Sequence, residues 1–186
     1  MRSVSVLAVI GMVLLAGCSA VPIGPGEAVP PARNATVVDV VDGDTLDVRF
    51  PDGSTDTVRL LGIDTPEVYA ETDPAEFEGV PDTEVGEACL RDAGERATAV
   101  VTDRLADREI RLEFDPLADR RGEYDRLLAY VVLNDTNLNY WLVKRGHARV
   151  YDTEFASAGR FYAAESTARA EHRGLWTCTT PKRTAG

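Results

Sequence analysis

Between residues 36 and 63 the chain alternates apolar and polar positions with a period of two, the spacing a half-buried strand requires. Leu46, Val48 and Phe50 fall on one face and Thr45, Asp47 and Arg49 on the other. Asp42-Gly43 and Pro51-Asp52-Gly53 supply turn chemistry between the runs, so residues 35–63 are expected to form an antiparallel meander of three strands. After Gly86 the period changes: Leu90, Ala93, Ala97, Val100 or Val101, and Leu105 recur at helical spacing. REIRLEFD then alternates Ile110, Leu112 and Phe114, a fourth strand, and RLLAYVVL (126–133) gives a fifth. Asp135 or Thr136 is expected to cap a second helix carrying Leu138, Trp141 and Leu142, with Gly146 just past its end. A third helix, about 155–173, presents Phe161, Ala164 and Ala168 on one face and closes at Gly174. Residues 68–85 hold several acids and two prolines but no Lys or Arg, and are expected as an exposed loop.

This order, β-β-β-α-β-β followed by two helices, predicts an α+β fold that is mainly β. A small Greek-key barrel packed with helices, an OB-fold, fits it. An α+β sandwich fits the same string.

The ends of the chain read differently. MRSVSVLAVIGMVLLAGC opens with Arg2 and an apolar stretch, residues 4–16, too short for a comfortable membrane span. It ends in Leu15-Ala16-Gly17-Cys18, which resembles the lipobox of exported lipoproteins, with Cys18 the lipidated residue. An ordinary signal peptide or an uncleaved anchor are the other readings. Residues 19–35, rich in Pro, Gly, Ala and Val, read as a tether. The expected division is a signal peptide at 1–18, a tether at 19–35, a folded domain at 36–177 and a tail at 178–186. The protein is expected to be monomeric, anchored to the cell membrane through the lipid and facing outside. With Cys18 so used, Cys89 and Cys178 remain, and export favours joining them in a disulfide over two buried free thiols.

Charge complicates any functional reading. Asp and Glu number 31 against 20 Lys and Arg, a net charge of -11, which argues against nucleic acid or anionic lipid as partners. Salty surroundings, where screening is strong and acidic surfaces are common, remove that objection.

Chemistry concentrates in RLLGIDTPE, residues 59–67. Fully extended, its eight steps span roughly 26 Å, so Arg59, Asp64 and Glu67 meet only if the chain bends. Gly62 turns cheaply, and Pro66 biases Thr65 towards an extended conformation. The strand order also allows Asp44, at the first hairpin, to approach Asp64. The two carboxylates and a backbone carbonyl are hard ligands that suit calcium or magnesium rather than zinc. Taken alone, Asp42-Gly43 is a common turn that binds nothing. Arg59 and, downstream, Arg126 offer planar forks matched to phosphate oxygens. Two arginines, a metal site and Glu67 as acceptor of a proton from water are the parts needed to cleave a phosphodiester. His147 and His172 sit in no zinc pattern, and Trp141 and Trp176 read as core residues. Tyr124, Tyr130 and Tyr151 are candidates for stacking on bases.

VVDGDTLDV, RLLGIDTPE, EYDRLLAYV, NYWLVKRGHARV and AESTARAEHRGLW together resemble the staphylococcal nuclease family, over about Thr36 to Trp176. The resemblance implies an OB barrel of five strands with three helices and calcium-dependent cleavage of DNA and RNA that leaves a 3′ phosphate. It puts the metal ligands on Asp44, Asp64 and the Thr65 carbonyl, the general base on Glu67, and the phosphate-binding arginines on Arg59 and Arg126. A non-catalytic OB module binding nucleic acid or another ligand is the alternative. Two departures stand out: the family usually has glycine where this chain has Asp125, and the 68–85 loop is acidic rather than basic.

Overall fold

The computed structural model describes residues 32–69 and 72–179. The expected lipidation site Cys18, the leader and most of the tether lie outside the described residues. The chain builds β1 (Ala32–Val40), β2 (Thr45–Arg49), β3 (Thr55–Leu60), β4 (Ile63–Asp64), α1 (Glu84–Leu105), β5 (Glu109–Glu113), β6 (Leu127–Leu133), β7 (Thr136–Asn137), α2 (Leu138–Arg145), β8 (Arg149–Val150) and α3 (Ala158–Ala170). β1 therefore takes in the last residues of the segment read as tether.

β1, β2 and β3 form the meander, each pair antiparallel. β5 pairs with β1 and β6 with β5, both antiparallel. A parallel pairing of β3 with β6, Arg59 opposite Leu128, then closes the five strands into a mixed barrel, the OB-type architecture the strand order predicted. Closure leaves no open edge in that part of the sheet. The inward faces are apolar: Val37, Leu46, Val48, Val58, Leu112 and Val131 are fully buried. β6 reads as an unbroken apolar run because the barrel core lies on one side of it and α2 packs against it.

Several elements differ from their sequence expectations. Asn134 and Asp135 adopt positive φ in the tight β6–β7 turn, and Asn137 caps α2 instead, accepting a 2.9 Å hydrogen bond from the Tyr140 amide. β7 interposes two paired residues that are too short to show as a period. α3 is shorter than the expected 155–173 but carries Phe161, Ala164 and Ala168 as expected; Phe155 lies in the loop before it and packs edge-on against Phe161 at 5.2 Å. The largest difference lies in the acidic loop. Phe77 and Val80 are buried with Leu90, Trp176 and Cys178 in a second core between α1 and the C-terminal turn. One apolar ring among acids carried too little pattern to reveal this. Arg169 pairs with Glu78 at 2.7 Å, fastening the same segment to α3.

Cys89 and Cys178 are joined by a disulfide that ties α1 to that turn. Trp176 is buried as expected, whereas Trp141 is only half-buried, stacked on His147 with the Arg104 guanidinium 3.7 Å from its centroid. Among the described residues no helix is long and apolar enough to cross a membrane.

Candidate active site

The meander's turns bring the acids together. Asp44 ends the first hairpin, and the Leu60 amide donates to its carbonyl at 2.8 Å, docking the hairpin end on the end of β3. Gly62 then turns the chain with φ 74°, and a side chain there would strike the Phe155 ring. The two residues of β4 follow, and Thr65 runs back over Asp44. On the other flank Gly94 of α1 lies so close to Pro66 that a Cβ would collide with the Pro66 carbonyl oxygen. Asn139 of α2, fully buried, accepts from the Val131 amide and donates to the Leu61 and Ala129 carbonyls. The frame under the site is thus fixed from three sides.

Within it, Asp44 is 1 % exposed. Its carboxylate accepts from the Thr65 amide at 2.7 Å, the Thr65 hydroxyl at 3.1 Å and the Thr45 hydroxyl at 3.2 Å. It also pairs with Arg59. The other arm of the Arg59 guanidinium donates to Asp64 Oδ1 at 2.5 Å. One planar cation therefore bridges two buried carboxylates, which offsets a burial that would otherwise be very costly. Asp64 has a second cation: Arg149 Nη2 lies 2.9 Å from Oδ2.

Glu67 stands exposed at the edge of this cluster. Partial burial, then the Asp42 and Asp64 carboxylates, push its pKa above the ordinary glutamate range, while Arg59 pulls the other way. Asp42 is raised as well, chiefly by burial and against the pull of Arg59; its Oδ1 accepts from the Asp44 amide at 3.0 Å. Arg59 and Arg126 line one cleft of about 290 Å³, with Tyr151 and Thr153 on its wall. Of the six residues expected from the sequence, Asp44, Arg59, Asp64 and Thr65 are linked by direct contacts, Glu67 stands beside them, and Arg126 shares only the cleft with Arg59.

The Asp125 departure resolves in the turn before Arg126. Tyr124 and Asp125 both have φ 60°, a left-handed conformation that glycine adopts freely and Asp tolerates. The Asp125 carboxylate faces Arg121 at 3.4 Å rather than Arg126, and Arg121 also donates to the Asp125 carbonyl. Arg126 is held by the Glu123 carbonyl at 3.5 Å, with the exposed Tyr124 ring 5.4 Å away. Tyr130 does not serve as a base platform: it is buried, and its hydroxyl donates to Asp115 at 2.7 Å.

Sequence reading missed Asp42 and Arg149 as members of the cluster. Arg149 is set by the antiparallel pairing of β8 with β4, Asp64 opposite Arg149. A two-residue strand leaves no period, though the buried Ala148 and Val150 on either side of an arginine are a faint signal.

The two carboxylates that Arg59 bridges are hard oxygen donors, which suit a hard cation better than a soft one. Among the described residues no group of three or more His, Cys, Asp or Glu side chains is arranged to hold a metal ion. Asp44 and Asp64 could supply at most part of a coordination shell, and Arg59 neutralises them here.

Comparison with known proteins agrees with the barrel and the motifs. Residues 57–178 match the family described as staphylococcal nuclease homologue. The uncharacterized protein MJ1439 of Methanocaldococcus jannaschii is 35% identical over 147 residues, 75% of this chain and 70% of that one. The SPbeta prophage-derived endonuclease YokF of Bacillus subtilis is 34% identical over 77% of this chain and 44% of its own. The thermonuclease of Staphylococcus intermedius is 34% identical over 59% of this chain and 55% of its own. The matched region thus spans only about half of those two relatives. On the family match and the shared motifs, the chain belongs to the staphylococcal nuclease family.

Proposed function

We propose that the protein is a calcium-dependent nuclease that hydrolyses phosphodiester bonds of DNA or RNA and leaves 3′-phosphate ends. The observation that carries this reading is the meeting of Arg59, Asp44 and Asp64, with Arg126 lining the same cleft as Arg59 and Glu67 close enough to feel Asp64 and Arg59. Family membership and the endonuclease and thermonuclease names of relatives support it.

Asp44, Asp64 and the Thr65 carbonyl would hold the cation, with water and substrate oxygens filling its shell. When bound, calcium supplies positive charge to a phosphate oxygen and neutralises both carboxylates. Arg59 would offer its fork to a phosphate, and Arg126, which lines the same cleft, would reach the same group. Glu67 accepts the proton of the attacking water; burial and the neighbouring Asp42 and Asp64 carboxylates raise its pKa, which makes it a stronger base than an ordinary glutamate. Export, a lipid anchor at Cys18 and action outside the cell belong to the same proposal, supported by the leader sequence. Two acids of the loop, Glu76 and Glu78, are paired with Arg149 and Arg169, which offsets part of its charge.

Calorimetric titration tests the ligand assignment. Asp44→Asn and Asp64→Asn should each weaken calcium binding tenfold or more, on the order of one lost charge-assisted contact. Asp52→Asn should leave it unchanged, since that carboxylate closes its own turn onto Ser54, with contacts of 2.8 and 2.6 Å, and otherwise pairs with Arg33 at 3.6 Å, away from the site. Equal affinities in all three folded variants would remove Asp44 and Asp64 from the metal site.

A further inference from the structure

The Arg149 side chain is more enclosed than a surface arginine needs to be, at 17% exposure. Its backbone is pinned: β8 pairs with β4, and the next amide, Val150, donates to the buried Glu165 carboxylate at 2.9 Å. Its guanidinium carbon lies 5.2 Å from the centroid of the Phe77 ring, which is itself buried. One nitrogen, Nη2, reaches both Asp64 Oδ2 at 2.9 Å and Glu76 Oε2 at 3.1 Å. Nε is buried with no hydrogen-bond partner among the described residues. The guanidinium angle thus serves Asp64, Glu76 and Phe77 at the expense of its own remaining donor.

We propose that Arg149 is a positioning residue for the nuclease reaction: it holds the outer oxygen of Asp64 and fastens the acidic segment beside the site through Glu76. Arg59 takes Oδ1 of Asp64 and Arg149 takes Oδ2, so the carboxylate plane is fixed from both ends. When Arg59 turns to a phosphate, Arg149 is the contact that keeps Asp64 from rotating. A lysine in its place keeps the charge but loses the planar fork and its packing on Phe77. Arg149 also has an electrostatic consequence opposite to its positioning effect. A positive charge beside Asp64 repels a divalent cation, so Arg149 weakens calcium binding while it aligns the ligand.

The inference rests on the nuclease reading, and its test separates the two. In Arg149→Ala, turnover should fall on the order of 10–100-fold, the usual cost of losing a partner that orients a ligand. KM should stay within about threefold, and calcium should bind tighter by on the order of tenfold from the removed charge. A merely structural loss would weaken calcium binding and turnover together. Arg149→Lys should restore calcium affinity to near the wild-type value with turnover still reduced by about fivefold or more. Glu76→Ala, which removes the contact to the segment and only a minor influence on Glu67, should keep turnover within about twofold. Wild-type turnover in Arg149→Ala, or weaker calcium binding in that variant, overturns the proposal. If Arg149→Ala fails to fold by circular dichroism, full turnover in Arg149→Lys overturns it instead. An inactive wild-type enzyme would refute the nuclease reading, and the calcium titrations would still test the Arg149–Asp64 contact: tighter binding in Arg149→Ala supports it, and unchanged or weaker binding overturns it.

Discussion

Glu67→Gln is expected to lose turnover by about a hundredfold or more while substrate binding stays within a few-fold, because a base acts mainly in the transition state. The substitution is nearly isosteric and the side chain is exposed, so folding should be unaffected. The wild-type pH profile gives an independent check. A protonated Glu67 cannot accept the proton of water, so the rate falls as pH drops through its pKa. Burial and the Asp42 and Asp64 carboxylates raise that pKa, so the acid limb should lie above the ordinary glutamate range. In Glu67→Gln the residual rate should lack that limb. Near-normal turnover in a folded Glu67→Gln protein would take Glu67 out of the mechanism.

The second large effect is on stability. The Cys89–Cys178 disulfide closes a loop with a sequence separation of 89 residues. In the chain-entropy model such a loop contributes roughly 4–5 kcal/mol, an upper figure because the reduced unfolded chain keeps some structure. It also crosses the second core, so its loss frees the C-terminal turn that carries Trp176 and the segment anchored by Phe77. Cys89→Ser/Cys178→Ser should lower the urea midpoint strongly, by an amount worth about 2–5 kcal/mol. A loss below about 1 kcal/mol would mean that the two cores hold this turn without the crosslink.

The barrel was legible because β2 and β5 alternate, β6 is a short apolar run of strand length, and the turns carry Asp-Gly and Pro-Asp-Gly. Closure by the parallel pairing of β3 with β6 left no local trace, since it depends on segments far apart in the chain. The same limit hid Arg149, whose place is set by a two-residue strand. Arg59, Asp64 and Glu67 could be picked out because they share one short segment with a glycine and a proline. Asp42 looked like half of a turn, and it is one; its part in raising Glu67 comes from proximity in space. The acidic loop misled because charge dominates its composition, while the buried Phe77 and two arginines from distant elements decide where it lies.

The most direct test of the central claim is digestion of plasmid DNA and of RNA by the purified protein, with calcium and with excess chelator. Cleavage with calcium, products ending in 3′ phosphate, and no cleavage after chelation are predicted. A folded protein that binds calcium yet leaves both nucleic acids intact would contradict the account and favour a binding module in the same fold.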